Sequence, residues 1–329
     1  MGFKRSWLDT SFGFAGPYGT RVAHFSLAPT ARIDRQDWSS AEKERFARER
    51  ELIGEGPHLS RLSDVSQVFY STTPGLSKRL THSVEVARIA GLLSAELGLN
   101  VALAESIALS HDCGHAPFAH LGERFLQERR IGAGHASWGA DALDHWMVDL
   151  SPQLLDGVRN HPWDANAPQT AEGEVVSWAD RIAYLFDDLH DAATAGLIPI
   201  NASSAEQSNQ TKGLLINSIV RASGRTGVIS IEKDACSLLG TLRQSNWATI
   251  YQHPAVRAQG VDAIQVLAAV AASLKLRKDP RGLRHLMTMS DTEALSAVNF
   301  SPCRLDITAF LSAGKTGKMF QRLPVPAAV

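Results

Sequence analysis

The chain has 329 residues, of which 44% are hydrophobic and 20% charged, so it is long enough to bury a sizeable core as a soluble globular protein. Its formal net charge of −1 argues against a general nucleic-acid coat, because a polyanion would have to meet a local cluster of Arg and Lys. Three cysteines are too few for a disulfide framework or a Cys-rich zinc site, which favours a reducing cytoplasm. The longest apolar run, residues 266–272, is far short of the ~20 residues of a membrane helix.

The first 38 residues are rich in Gly, Ser, Pro and aromatic residues without a clear period. This predicts an N-terminal arm over residues 1–38 that packs irregularly or on a neighbouring subunit. A helical pattern begins after Ser39, because Ser39 as N-cap and Glu42 three residues later fit a capping box. We predict a core over residues 39–200 and a helical region over 201–329 that completes the same globular unit. The polar stretch 201–210 is the best candidate for a mobile loop.

Residues 77–128 are predicted to be mostly helical, with a break at residues 98–100 between two helices. His82 lies in the first turn of the earlier helix, where Val86, Ile89 and Leu93 follow helical spacing. The break lets the chain fold back, so we expect His82 to lie beside His111 of the second helix.

The densest group of reactive side chains lies in residues 110–123, directly after an apolar helical run. The adjacent His111 and Asp112 point about 100° apart on a helix, so both reach one ion only over a helix end or in a crevice between helices. His120 and Glu123 are three residues apart on one turn, so the carboxylate can orient the imidazole and raise its basicity. His115 lies between these two pairs.

A later predicted helix carries polar residues on one face. Asp180 lies inside an otherwise largely apolar segment, and buried carboxylates need partners. Asp180, Tyr184, Asp188 and Asp191 are spaced four, four and three residues apart, so they share a face. Two imidazoles and two carboxylates around one cation suit Mn, Mg, Fe, Co or Ni better than a closed structural zinc site, and the chain offers such a set in His82, His111, Asp112 and Asp180.

These segments resemble the HD metal-dependent phosphohydrolase superfamily and, within it, the deoxyguanosine-triphosphate triphosphohydrolase (dNTPase) family. The resemblance is carried by residues 79–87 (RLTHSVEVA), 111–123 (HDCGHAPFAHLGE) and 179–184 (ADRIAY), in this order. It implies an all-α fold, an HD-domain helical bundle with a helical C-terminal extension. It also implies one divalent ion per site, Mn or Mg first and Fe, Co or Ni as alternatives, and a homo-oligomer such as a hexamer.

The reaction that the resemblance implies is attack of water at the α-phosphorus of a deoxynucleoside triphosphate, which releases deoxynucleoside and triphosphate. His120 and Glu123 are expected to activate the water, and His115 to protonate or stabilise the leaving ester oxygen. A triphosphate carries about four charges, so cations must accompany the metal. Six residues are expected to contact the substrate: Arg61, Arg79, His135, Arg181, Tyr184 and Asp188.

One departure from the family pattern concerns base specificity. His135 is followed by Ala136, Ser137 and Trp138, where the family usually has Asn or Glu and then Gln. Two other functions stay open. One is an HD-type nucleotidase or phosphodiesterase that uses the same site on other nucleotides or on single-stranded nucleic-acid ends, with weak binding to such strands. The other is a non-catalytic nucleotide sensor. The remaining histidines are expected to be structural: His24, His58, His145, His161, His190, His253 and His285.

Overall fold

The computed structural model describes residues 33, 37–129, 134–147, 149–199, 202–274 and 280–313. Across these ranges it contains helices and no β-strand, so the predicted all-α class is confirmed. The helices are α1 Ser40–Glu55, α2 Pro57–Arg61, α3 Arg79–Glu96, α4 Val101–Ser110, α5 His120–Glu128, α6 His135–Trp146, α7 Pro152–Asn160, α8 Ala171–Thr194, α9 Ala202–Thr226, α10 Lys233–Asn246, α11 Pro254–Ser273, α12 Pro280–Thr288, α13 Asp291–Ala297, α14 Pro302–Leu305 and α15 Ile307–Ala313.

Local capping signals place the first helices where the sequence predicts them. The capping box at Ser39 is confirmed, since its side chain accepts from the Glu42 backbone and its own N–H donates to the Glu42 carboxylate. The predicted break is confirmed as well: α3 ends at Glu96, Gly98 has a φ of +70°, and the Asn100 side chain accepts from Leu103 N at 2.9 Å. The hairpin of α3 and α4 therefore brings the start of α3 beside the end of α4.

The core around this hairpin holds the site in place. Helices α3, α4 and α8 pack against one another, with α1 against α4 and α7 against α4 and α8. Val86, Ile89, Ile107 and Ile182 are fully buried between them. Removing such side chains from water stabilises the fold by about 1.5–3 kcal/mol each, which fixes three backbones that each carry a candidate ligand.

The predicted arm over residues 1–38 lies outside the described residues except at its end. Ile33 N donates to Gly227 O at 3.0 Å, and Trp38 Nε1 donates to a carboxylate oxygen of Glu172 at 2.9 Å. Trp38 also meets the ring of Phe46 edge to face, with 5.1 Å between the ring centroids. The end of the arm is thus attached to the core.

The C-terminal part is helical, as expected, and packs onto the core through α11. By length and composition alone α11 could cross a membrane, but Val266, Leu267 and Val270 are buried against Phe125 of α5 and against apolar side chains of the C-terminal helices. A core helix of a soluble protein has such surroundings. The boundary at residue 200 stays a prediction. The helices on its two sides contact each other.

The mobile loop predicted over residues 201–210 is wrong, because α9 begins at Ala202. Leu215 and Ile219 of α9 are buried in the core cluster, and Lys212 forms an ion pair of 2.7 Å with Glu85 of α3. Helix formation is cooperative, so the packed half of α9 favours extension of the helix into its polar first half.

Candidate metal centre and active site

The four predicted metal ligands come together from three helices. His82 lies in the first turn of α3, His111 caps the C-terminus of α4, Asp112 follows it, and Asp180 lies in the middle of α8. His82 Nε2 is 3.1 Å from Asp180 Oδ1 and 3.9 Å from Asp112 Oδ2, while His111 Nε2 is 3.4 Å from Asp112 Oδ2 and 3.9 Å from Asp180 Oδ1. Two nitrogens and two oxygens therefore face one point over the end of α4.

Hydrogen bonds on the far side of each ring orient the imidazoles. His111 Nδ1 lies 2.6 Å from Ala108 O, to which it donates, and Nε2 has no hydrogen-bond partner among the described residues. His82 Nδ1 is 3.5 Å from a carboxylate oxygen of Asp187. Ligating histidines are commonly held by such outer partners. A buried imidazole nitrogen without a hydrogen-bond partner, beside two carboxylates, fits a divalent cation.

Both carboxylates of this group are ionised. Burial alone would raise the pKa of the Asp112 carboxyl, but His111 and Arg79 hold it well below its usual range. Burial opposes ionisation of Asp180 too, yet the hydrogen bond with His82 and the nearby His111 lower its pKa. Two anions in a buried site need cationic partners, which again fits a bound metal ion.

The protonation of His82 is coupled to the ion. Burial would lower the pKa of its imidazole, but the hydrogen bonds with Asp180 and Asp187 raise it to about 10. Ligating imidazole must be neutral, so a cation at this point displaces a proton from His82.

A second group of titratable side chains lies next to the first. Glu123 Oε2 is 3.2 Å from His120 Nδ1 and 3.0 Å from His135 Nδ1, and Glu123 Oε1 accepts from His135 N at 2.9 Å. One carboxylate therefore orients two imidazoles. The predicted pair of His120 and Glu123 is formed, with His135 as an additional partner.

His120 follows a strained turn. Phe118 and Ala119 have positive φ angles of 59° and 49°, which L-residues seldom adopt. The buried Asp291 of α13 accepts from Phe118 N at 2.6 Å and from Ser66 N at 2.8 Å. The C-terminal helices thus help to hold the turn that presents His120.

His115 lies behind this surface. Its ring is fully buried and stacks on His135 with 4.0 Å between centroids, and its Nε2 is 3.1 Å from Asp112 Oδ1. Burial lowers the pKa of His115 well below its usual value, so the ring is neutral and a poor acid. The structure does not bring His115 to the cavity surface on which the prediction placed it.

A cavity opens beside the candidate ligands. Five of the six predicted substrate contacts line it, together with three of the four candidate ligands, His120 and five residues that the sequence analysis did not assign to the site. The lining residues are Gln67, Val68, Arg79, His82, Asp112, His120, His135, His161, Pro162, Asp180, Arg181, Tyr184, Asp188 and Arg243.

The two predicted phosphate-binding arginines have different surroundings. Arg79 donates to Asp112 Oδ2 at 2.7 Å and to Gln67 O at 3.0 Å, so it holds a ligand while it faces the cavity. The Arg181 guanidinium lies over the ring of Trp163, 3.8 Å from its centroid. Both place positive charge near the candidate ion.

Arg61 is the predicted substrate contact that the structure does not bring into the cavity. Its guanidinium donates to Met289 O at 3.0 Å, Cys113 O at 3.0 Å and His115 O at 2.8 Å. Arg61 instead supports the turn that carries Asp112, from below. Arg61 was predicted to face the cavity because its segment resembles the family's stretch before the first metal histidine, which lines the nucleotide pocket.

Tyr184 and Asp188 line the cavity, one helical turn apart on α8. Burial raises the pKa of Asp188 to about 8, so its carboxyl is largely protonated at neutral pH, and Tyr251 hydrogen-bonds to its Oδ2. Asp188 Oδ1 has no hydrogen-bond partner among the described residues. This oxygen is available to a ligand.

His161, Asp187 and Arg243 are the site residues that sequence reasoning missed. His161 was predicted to be structural, yet its ring lines the cavity with Nε2 only 3.2 Å from His135 Nε2. Its position one loop before the Asp180 helix was the available signal. Asp187 follows Tyr184 by three residues, whereas Arg243 lies in α10 with no motif around it.

Comparisons with known proteins agree with this geometry. The HD domain family model matches residues 79–185, which include all four candidate ligands. The deoxyguanosinetriphosphate triphosphohydrolase-like protein of Caldanaerobacter subterraneus subsp. tengcongensis is 36% identical over 180 residues, which are 50% of this chain and 53% of that protein. The protein with the same description from Clostridium perfringens strain SM101 is 30% identical over 253 residues, 70% of this chain and 74% of that protein.

Solved structures share the fold. A phosphohydrolase from Bacteroides thetaiotaomicron superposes with a TM-score of 0.56 at 18% identity, covering 81% of this chain and 72% of that one. A hypothetical protein from Aquifex aeolicus gives 0.55 at 16% identity, covering 80% and 70%. The chain spans about half of the first relative's length and about three quarters of the second's. It belongs to the HD-domain family of deoxyguanosinetriphosphate triphosphohydrolase-like proteins.

Proposed function

We propose that the protein hydrolyses deoxynucleoside triphosphates, dGTP or others, to deoxynucleoside and triphosphate. The observation that carries this proposal is that His82, His111, Asp112 and Asp180 meet beneath a cavity into which arginines 79, 181 and 243 face. A triphosphate needs several positive charges besides the ion. The names of the relatives support the same substrate class.

A bound Mn²⁺ or Mg²⁺, the ions we propose first, polarises a phosphoryl oxygen and makes a water molecule more acidic. Burial lowers the pKa of His120, so its neutral imidazole can accept the proton of the attacking water, while Glu123 orients the ring. The water oxygen bonds to the α-phosphorus, the bond to the 5′-oxygen breaks, and that oxygen takes a proton from His120 or from solvent. The predicted proton donation by His115 stays a prediction. Its contacts favour a positioning role toward Asp112 instead.

The sugar is proposed to lie against α8. Tyr184 stacks or hydrogen-bonds along the deoxyribose, and Asp188 Oδ1 hydrogen-bonds with the 3′-hydroxyl while Oδ2 accepts from Tyr251. Arg181 and Arg243 meet the phosphates, and Arg79 keeps Asp112 in place beside them. We also propose that the protein is cytoplasmic and forms a homo-oligomer such as a hexamer. Weak binding of single-stranded nucleic acid is proposed only for the alternative function as a nucleotidase or phosphodiesterase.

The test is product analysis. The full chain, stripped of metal and reloaded with Mn²⁺ or Mg²⁺, is incubated with each of the four dNTPs, and tripolyphosphate and deoxynucleoside are measured by ion chromatography. Equal amounts of both are expected, and Asp180→Asn is expected to lose at least about 100-fold in turnover because it removes a ligand. His145→Ala is the matched control, since His145 lies on the exposed face of α6 and outside the cavity.

Other products identify the alternatives. Monophosphate or inorganic phosphate as the only product refutes the proposal and leaves an HD-type nucleotidase or phosphodiesterase that uses the same site. Tight nucleotide binding without any product, with every candidate ion present, indicates a non-catalytic sensor.

A further inference from the structure

A buried carboxylate of the C-terminal part joins two loops that border the active site. Asp291, the first residue of α13, is 0% exposed. Its Oδ1 accepts from Phe118 N at 2.6 Å, and its Oδ2 accepts from Ser66 N at 2.8 Å and from the Ser66 hydroxyl. Phe118 is 173 residues away along the chain and Ser66 is 225 residues away. One side chain therefore fixes the separation of the two loops.

This carboxylate is not needed to begin its own helix. Ser290 caps α13, since its side chain accepts from Glu293 N at 3.2 Å and its own N–H donates to the Glu293 carboxylate at 2.7 Å. Burial of a carboxylate costs free energy unless hydrogen bonds offset it, and the donors to Asp291 come from the two distant loops. Asp291 therefore serves those loops rather than α13.

The first loop presents His120. Phe118 and Ala119 have positive φ angles, and Ala119 is the residue directly before α5. Such backbone conformations persist only where the surroundings hold them. A hydrogen bond to an ionised acceptor is stronger than one between neutral groups. The bond from Phe118 N to Asp291 therefore holds the strained turn and, with it, the direction in which the His120 ring points.

The second loop supports a candidate ligand. Ser66 O accepts from Arg79 Nε at 3.3 Å, and Gln67 O accepts from Arg79 Nη2 at 3.0 Å. The remaining nitrogen of this guanidinium, Nη1, donates to Asp112 Oδ2 at 2.7 Å. The two backbone carbonyls thus set the direction in which Arg79 reaches Asp112. Asp291 holds their backbone through Ser66 N.

We propose that Asp291 is a positioning residue of the active site, which holds the turn before His120 and the backbone that orients Arg79 at the separation that turnover requires. Asp291 does not itself line the cavity and acts through these residues. A shift of about 1 Å at the reacting groups can lower turnover by about 100-fold. Helix α13 is then part of the catalytic unit. The proposal rests on the proposed function only for the reaction that is measured.

The decisive variant of the full chain is Asp291→Asn, which keeps the shape of the side chain. An amide has one oxygen and one NH₂ group, so it cannot accept from both loops. With Mn²⁺ and dNTP, kcat should fall by about 10–100-fold while KM changes by less than about threefold, because the lost positioning acts in the transition state and not in binding. Hydrogen exchange followed by mass spectrometry should be slow in the wild-type peptide that contains Phe118 and faster in the variant.

Asp306→Asn is the matched control. Asp306 is also buried and also joins the C-terminal part to the segment before α3, since its Oδ2 accepts from Thr72 N at 2.5 Å and from Thr72 Oγ1 at 2.6 Å. Thr72 does not line the cavity. This variant should also unfold at lower urea concentration than the wild type, but its kcat should stay within about threefold of the wild-type value and its Phe118 peptide should stay protected.

A rescue separates positioning from folding. Glycine adopts positive φ without strain, so Ala119→Gly added to Asp291→Asn should let the turn keep its shape and recover kcat by at least about threefold. Should Asp291→Asn fail to fold, Ser66→Ala takes its place. It removes only the hydroxyl donor to Oδ2 and should lower kcat by about 3–10-fold at unchanged KM.

Four results overturn the proposal: unchanged kcat in Asp291→Asn or, where that variant does not fold, in Ser66→Ala; equal losses of kcat in Asp291→Asn and Asp306→Asn, which indicate general loosening; no recovery of kcat by Ala119→Gly; and fast exchange of the Phe118 peptide in the wild type. A wild type that releases no triphosphate contradicts the proposed function instead. The same variants are then compared on the product that the wild type does release, and the exchange measurement is unaffected.

Discussion

Gly114 packs closely against the backbone of α6 beside the active site. Gly114 lies in the turn between Asp112 and His115, and a Cβ built on it would be 2.0 Å from His135 O and 2.4 Å from Gly139 N. Real Cβ contacts are essentially never shorter than 3.0 Å, and both neighbours are backbone atoms of α6. In Gly114→Ala, α6 must therefore retreat by at least about 1 Å from the turn, as the contact distances require.

The retreat has two expected consequences. Overpacking at a buried backbone contact costs about 1–3 kcal/mol in the free energy of unfolding. Because His135 begins α6, its ring also moves away from Glu123 and His161, which are 3.0 and 3.2 Å away. A displacement of 1 Å at a reacting site can lower turnover by about 100-fold. Both effects follow from one added methyl group.

Urea denaturation of the metal-free protein measures the first effect, and triphosphate release measures the second. Gly213→Ala is the matched control, because Gly213 lies within α9 with nothing within 4 Å of its built Cβ. That variant should gain about 0.5–1 kcal/mol through the higher helix propensity of Ala and keep full turnover. If Gly114→Ala unfolds like the wild type and turns over at the wild-type rate, the contact between the turn and α6 is not what holds His135.

Three further predictions address single side chains. Burial raises the pKa of Asp188 to about 8 from 3.8, so the folded state binds this proton more tightly and the stability gained from it is lost as the pH rises. In urea denaturation, the free energy of unfolding of the wild type relative to Asp188→Asn should therefore fall by about 3–4 kcal/mol between about pH 5 and pH 9. A difference that stays constant with pH would contradict the raised pKa. Asp187→Ala should weaken Mn²⁺ binding, measured by calorimetry, by about 10–100-fold because His82 loses its outer partner; unchanged affinity would show that the 3.5 Å contact does not orient the ring. Arg61→Ala should lower the free energy of unfolding, measured by urea denaturation, by about 2–3 kcal/mol, because it leaves three carbonyls without their charged donor. A raised KM with unchanged stability would instead indicate that Arg61 contacts the substrate, as the sequence analysis predicted.

Local signals in the sequence were enough for the helices and for the residue types of the candidate ion site. The capping box at Ser39 and the break at Gly98 depend on hydrogen bonds within a few residues, so the chain specifies them by itself. The spacing of Asp180, Tyr184 and Asp188 likewise determines that they share one face of α8, whatever packs against it. The set of four candidate ligands was predicted from such patterns, whereas the all-α class was predicted from the resemblance to the family.

Tertiary packing decided what each remaining side chain does. Arg61 lies 228 residues from Met289, whose carbonyl it binds, and no local pattern records a contact of that separation. His115 and His161 exchanged their expected places for the same reason: the stack on His135 buries the first, and the loop before α8 carries the second to the cavity. The sequence determined which groups are available, but only the folded chain determined which nitrogen of each imidazole is free, because that depends on the acceptor that the other nitrogen meets.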